Sequence, residues 1–217
     1  MHTRRDWLRS SLGIGGLLLA PPNILSAQEK IDFIPRSLDP IIRLSSNENP
    51  YGPSKRVQER IKNSFVHACR YPYAYSDGLE LILAKKHGVD PESIIVTGGS
   101  TEGLKITGLT FASNGGEIIS GQPTFLAMMK FAEQWGASVN WVPVGADKGY
   151  DLDEIEKRIS SKTKLVFLCN PNNPTGTLVP AEKLVDFCNT ASKKTVVFSY
   201  EAYYDFIETQ NYPSMVE

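Results

Sequence analysis

The sequence predicts an α/β fold, a three-layer sandwich with a mostly parallel sheet between helices, and three observations predict it. From residue 94 to residue 199, short apolar runs alternate with stretches whose apolar residues recur at helical spacing, the order that a parallel sheet and its crossover helices require. The runs at 94–96, 117–120 and 165–169 break at once into turns rich in Gly, Asn or Pro, and open parallel sheets carry their ligands at such strand ends. The composition, 217 residues with 41 % hydrophobic and 22 % charged, suits a chain that buries one sizeable core rather than a disordered or fibrous one.

Between Ser54 and Cys69 the apolar Val57, Ile61, Phe65 and Ala68 lie at helical spacing, with Ser54 available as N-cap. A second helix is expected from about Gly78 to His87, ended by Gly88. The alternation then gives strand Ile94–Val96, helix Thr101–Thr110, strand Glu117–Ser120, helix Phe125–Gln134 and strand Ser138–Val142. It continues with helix Leu152–Ser160, strand Leu165–Cys169, helix Pro180–Thr190 and strand Thr195–Ser199. No internal repeat or low-complexity tract interrupts it.

The first 27 residues read differently. Thr3-Arg4-Arg5-Asp6-Trp7-Leu8-Arg9 sets paired arginines ahead of the uncharged run Leu12 to Ala20, which is too short and too rich in glycine to span a bilayer stably. That is the layout of a twin-arginine export signal, with cleavage near Ser26-Ala27. It predicts a periplasmic protein with no stable membrane span after signal removal. The alternative is a cytoplasmic protein whose basic N-terminal helix belongs to the fold, and there each glycine would cost about 1 kcal/mol relative to alanine. Residues 28–53, rich in Pro, Asn and Ser, read as an arm packed over a domain surface, and residues 54–217 as the domain itself.

Twenty-three basic against 24 acidic side chains leave a net charge of −1, so the electrostatic footprint of a nucleic-acid binder is missing outside the N-terminus. Cys69, Cys169 and Cys188 lack the C-x-x-C spacing of a metal or redox site and read as buried and unpaired, with no metal expected. The expected partners are small molecules and a second copy of the chain.

Two turns carry the chemistry. Gly98-Gly99-Ser100-Thr101-Glu102-Gly103 opens a helix, so free backbone N–H groups and the helix dipole favour an anion there, and the hydroxyls of Ser100 and Thr101 add donors. After the apolar stretch Leu165 to Cys169, the run Asn170-Pro171-Asn172-Asn173-Pro174-Thr175-Gly176-Thr177 delivers a rigid, amide-rich turn to the end of a buried strand.

With Ser46-Asn47-Glu48-Asn49-Pro50-Tyr51-Gly52-Pro53, Arg70-Tyr71-Pro72 and Glu201-Ala202-Tyr203, these turns fall in the order found in the fold-type-I, pyridoxal-phosphate-dependent aminotransferases. From about residue 40 to residue 217 the chain resembles the histidinol-phosphate aminotransferase branch of that family. The resemblance implies that residues 54–217 are part of a pyridoxal-5'-phosphate-binding large domain, incomplete at the C-terminus, with the catalytic lysine, the phosphate-binding arginine and the carboxylate-binding arginine beyond residue 217. It implies that Ser100 and Thr101 hold the cofactor phosphate, that Phe125 stacks on its ring, and that Asn173 and Tyr203 donate to its phenolic oxygen. Tyr71 would reach the cofactor of a partner subunit in a homodimer. The implied activity is amino-group transfer between an amino acid, or an amino-alcohol phosphate, and a 2-oxo acid. A lyase or decarboxylase of the same fold is an alternative.

One position departs from the family. Where its members read Asp-Glu-Ala-Tyr, this chain reads Tyr200-Glu201-Ala202-Tyr203, and a phenol is a poor substitute for the carboxylate that pairs with the ring nitrogen. Glu201 cannot take over, because adjacent residues at a strand end point to opposite faces. Tyr200 therefore favours a further alternative, a non-catalytic pseudoenzyme. A nucleotide-binding domain is disfavoured, since the glycine-rich turn is not the G-x-G-x-x-G of a dinucleotide site.

Overall fold

A computed structural model describes residues 44–216. The expected export segment 1–27 and residues 28–43 of the expected arm lie outside the described residues. Those described fall into two units divided after Ala68. In the first, helix α1 (Lys55–Ser64) starts where expected, with the Val57 N–H donating to Ser54 Oγ at 3.3 Å. A 3-10 turn, Phe65–His67, follows it. None of the α1 side chains is buried.

The second unit is built on one parallel sheet. Its strands are β1 (Glu117–Gln122), β2 (Ser138–Pro143), β3 (Thr163–Cys169) and β4 (Val196–Tyr200), in spatial order β2-β1-β3-β4. The helices of this unit are α2 (Tyr73–His87), α3 (Ser100–Ala112), α4 (Ala127–Glu133), α5 (Leu152–Arg158) and α6 (Ala181–Ala191). In β3 every residue except Lys164 is buried, the signature of a strand covered on both faces.

The two-residue period of a strand sorts those side chains into two cores. Ile118 of β1 with Leu165, Phe167 and Cys169 of β3 pack against Leu104 and Ala112 of α3 and Met128, Met129 and Ala132 of α4. Ile119 with Val166 and Leu168 pack on the other face against Ile155 of α5 and Leu184, Phe187 and Ala191 of α6. Each fully buried Leu, Ile or Phe contributes about 1.5–3 kcal/mol of transfer free energy. The three layers expected from the alternation are therefore present. Gly108 lets α3 lie close on α4: a Cβ there would meet Met128 Cγ at 3.0 Å and Ala132 Cβ at 3.3 Å.

The expected strand at 94–96 is not one. Ile95 is 83 % exposed and the segment joins no ladder among the described residues, because an apolar run becomes a strand only where a neighbour offers its backbone groups. Helix α2 begins at Tyr73, directly after Pro72, and absorbs Gly78 in its interior, while Gly88 closes it in the left-handed conformation at φ 68°. Helix α4 is shorter than expected, so Phe125 stands in the loop before it. Among the described residues no helix is long and apolar enough to cross a membrane.

Candidate functional site

The chain leaves β1 for the edge strand β2 and then crosses to β3 on the opposite side of β1. Connections that diverge in this way open a crevice at the carboxyl ends of the strands, where α/β proteins bind ligands. Pro123-Thr124-Phe125 follows β1, Asn170–Thr177 follows β3, and Tyr200 ends β4. Strand register brings the last two ends together: Cys169 pairs with Tyr200, and the Asn170 N–H donates to the Tyr200 carbonyl at 3.0 Å.

Much of the Asn/Pro turn is wired to the protein itself. Asn170 is buried, its amide donating to the Tyr212 hydroxyl at 2.7 Å and its carbonyl accepting from the Val179 N–H at 2.9 Å. Tyr212 in turn donates to the Val179 carbonyl at 2.6 Å. Asn172, also buried, donates to the Pro123 carbonyl at 3.1 Å and to Thr175 Oγ1 at 2.7 Å. Its own carbonyl accepts from Thr124 Oγ1 at 2.9 Å and from the Tyr150 hydroxyl at 2.7 Å. The Cys169 N–H donates to that same hydroxyl at 3.3 Å.

Tyr150 therefore clamps the ends of β1 and β3 together, a role the sequence reading missed. Burial pushes its phenol up to about 12, against the lowering effect of the Thr124 hydrogen bond, so it stays a donor. The one signal in the sequence is Gly121 at the end of β1. A Cβ at that position would fall on the edge of the Tyr150 ring, so only glycine leaves the ring its place.

The rest of the constellation lies at the neighbouring strand and helix ends. Asn173 Nδ2 donates to the Tyr203 hydroxyl at 3.5 Å. Ser100 and Thr101 open α3 behind Gly99, which takes φ 93°, and both are exposed. The Gly98 N–H donates to the Glu102 carboxylate, a negative group in the first turn that suits the helix dipole. Ser100 Oγ lies 3.0 Å from the Tyr200 hydroxyl. The Tyr200 ring stacks on Phe125, centroids 5.5 Å apart and planes 15° apart, and is tilted against Phe167 at 6.0 Å.

Ser100, Phe125 and Tyr200 are thus in one contact set, with Asn173 and Tyr203 at the adjoining strand ends. Glu201 turns away from them: its carboxylate accepts from Ser199 Oγ at 2.9 Å, Ser214 Oγ at 2.7 Å and the Met215 N–H at 2.9 Å. Tyr71 lies outside the set, 82 % exposed and stacked on Tyr73 at 5.6 Å.

The arrangement suits a flat aromatic ring bearing an anion. Tyr200 itself demonstrates that a six-membered ring fits against Phe125 with a polar group at Ser100. The first turn of α3 supplies the N–H groups and positive dipole end that favour an anion.

Comparison with known proteins agrees with the architecture. The profile of the family described as aminotransferase class I and II matches residues 39–216. Histidinol-phosphate aminotransferase of Bacillus velezensis is 33 % identical over 179 residues, which are 82 % of this chain and 50 % of that protein. The chain spans about half the length of the curated relatives it matches. The crystal structure of a putative histidinol-phosphate aminotransferase from Erwinia carotovora atroseptica superposes with a TM-score of 0.75 at 29 % identity, covering 81 % of this chain and 51 % of that one. Histidinol-phosphate aminotransferase of Sinorhizobium meliloti, solved in complex with pyridoxal-5'-phosphate, shares the fold with a TM-score of 0.66 at 23 % identity, over 71 % of this chain and 42 % of its own.

Proposed function

Because the chain belongs to the class I and II aminotransferases, we propose that the whole protein transfers an amino group between an amino acid, or an amino-alcohol phosphate, and a 2-oxo acid, with pyridoxal 5'-phosphate as its cofactor. The observation that carries the reading is the contact set of Ser100, Phe125 and Tyr200 at the start of α3, beside the Asn173–Tyr203 pair. In this reading Ser100, Thr101 and the first-turn N–H groups of α3 hold the phosphate. Phe125 supports the ring, and Asn173 and Tyr203 donate to its phenolic oxygen. When bound, the cofactor supplies an electron sink for charge released at the substrate α-carbon.

The test is amine transfer by the whole protein. Binding of pyridoxal 5'-phosphate, with release of a 2-oxo acid from an amine donor, is the expected result. A protein that does not bind it sinks the proposal. Tyr200 favours the second reading, a pseudoenzyme that binds cofactor without turnover. Cofactor binding with no transfer from any amine donor would select that reading.

We extend the proposal to a homodimer, supported by the exposed Tyr71, and to twin-arginine export, supported by Arg4-Arg5 and the uncharged run behind them. Light scattering gives the first a direct answer, and N-terminal sequencing of periplasmic protein the second. An exported enzyme would meet amine substrates other than a cytoplasmic histidine precursor.

A further inference from the structure

We infer that the side chain of Tyr200 is an internal occupant of the ring slot, so that a ring phosphate enters only by displacing it; the identity of that ligand rests on the function proposed above. Two contacts made by different parts of the phenol carry the inference. The ring lies in offset, near-parallel stacking against Phe125, and the hydroxyl engages Ser100, the first residue of α3. Packing alone would need the first contact and not the second. Together they give Tyr200 the outline of the expected ligand, a flat ring whose polar end meets the opening turn of a helix.

The backbone of Tyr200 cannot yield to a ligand. Its residue pairs with Cys169 in the β3–β4 ladder, and its carbonyl accepts from the Asn170 N–H. Clearing the slot is therefore a side-chain event, a change between staggered rotamers at a fixed strand end. A ligand that binds only the cleared rotamer has its affinity reduced by the fraction of molecules in that rotamer. The ring contacts with Phe125 and Phe167 and the hydrogen bond given up are together worth a penalty of about tenfold, or about 1.4 kcal/mol.

Equilibrium dialysis of the full chain against pyridoxine 5'-phosphate tests this directly. The probe carries ring and phosphate but has no aldehyde to react with surface lysines, so neither turnover nor a catalytic lysine enters the readout. Tyr200→Ala should tighten binding about tenfold. Tyr200→Phe, which keeps the ring and frees Ser100, should tighten it by no more than about threefold. Should Tyr200→Ala fail to fold, Tyr200→Asn is judged by the same tenfold criterion. Binding that stays equal or weakens in the folded small-side-chain variant overturns the inference alone, provided that Ser100→Ala still weakens binding by the parent chain. Indifference of binding to both Ser100→Ala and Asn173→Ala overturns the proposed function together with the inference.

Discussion

Asn172 and Asn173 are neighbours in the turn after β3, yet their side chains are employed differently. Asn172 is 3 % exposed, and its amide makes four hydrogen bonds, to Pro123, Thr124, Tyr150 and Thr175. Asn173 is half-buried, and among the described residues its side chain makes one hydrogen bond, to Tyr203 at 3.5 Å. A side chain saturated by its own loop has nothing left to offer a ligand, so its removal is felt as lost stability. A side chain with capacity in hand beside the candidate site is felt in binding instead. The turn is thus two devices in one: an inner half that fixes the backbone and an outer half that presents a donor.

Replacing Asn172 should produce the largest effect. In Asn172→Ala the hydroxyls of Thr124 and Tyr150 lose their shared acceptor, and the Pro123 carbonyl loses a donor. Buried polar groups left unpaired cost about 1–3 kcal/mol each. Because Thr124 and Tyr150 can still bond one another at 2.7 Å, we expect a net loss of about 3 kcal/mol in denaturant unfolding. A loss below about 0.5 kcal/mol would erase the distinction between the two asparagines.

Next in size is Gly121→Ala, which reaches the same clamp from β1. The new methyl group would meet the Tyr150 ring, and overpacking of this kind costs about 1–3 kcal/mol. Coupling sharpens the test: Gly121→Ala should cost markedly less in a Tyr150→Leu background than alone. Strict additivity of the two changes would show that the ring is not what excludes a Cβ.

Alkaline pH should weaken the inner half. Burial raises the Cys169 thiol from its ordinary 9.0 to about 11, and the Tyr150 phenol from 10.0 to about 12. The folded chain therefore holds these protons more tightly than the unfolded chain. Their contribution is fully present below pH 9, and falls as the pH rises through 9 to 11 for Cys169 and through 10 to 12 for Tyr150. Each group removes about 1.4 kcal/mol per pH unit within its window. Cys169→Ala should make the first window shallower without abolishing it, because burial also raises the Cys188 thiol to about 11, and Tyr150→Phe should make the second shallower. Unfolding free energies that run flat from pH 8 to pH 11 would contradict the burial of both groups.

The same division explains what could be read from the sequence. Buried strands such as Leu165 to Cys169 declare themselves as apolar runs, and the helices between them by their period, so the layered architecture was legible. Ile94 to Val96 looked the same and is no strand, since pairing depends on a neighbour that composition does not reveal. Of the outer residues, Ser100 stands out by its place at a helix start, whereas Phe125, Asn173 and Tyr203 stand out through the resemblance to the family's motifs. Tyr150 did not, because its partners Thr124 and Asn172 are 26 and 22 positions away and the meeting exists only after folding. Tyr200 was visible as an unusual residue in its slot. Its rotamer, which lays the ring on Phe125, is a choice made by tertiary packing.

The smallest effect on stability is expected at Asn173, and there the comparison can be broken most cleanly. In Asn173→Ala the Tyr203 hydroxyl loses a contact already at the 3.5 Å limit of a hydrogen bond. Both residues are half-buried, so water can replace it, and unfolding should change by less than about 0.5 kcal/mol. Binding of pyridoxine 5'-phosphate should nevertheless fall by about three- to tenfold, the worth of one hydrogen bond of about 0.5–1.5 kcal/mol. The two measurements separate the possible roles. Loss of stability without loss of binding would put Asn173 in the scaffold with Asn172, and the outer half of the turn would then present nothing to a ligand.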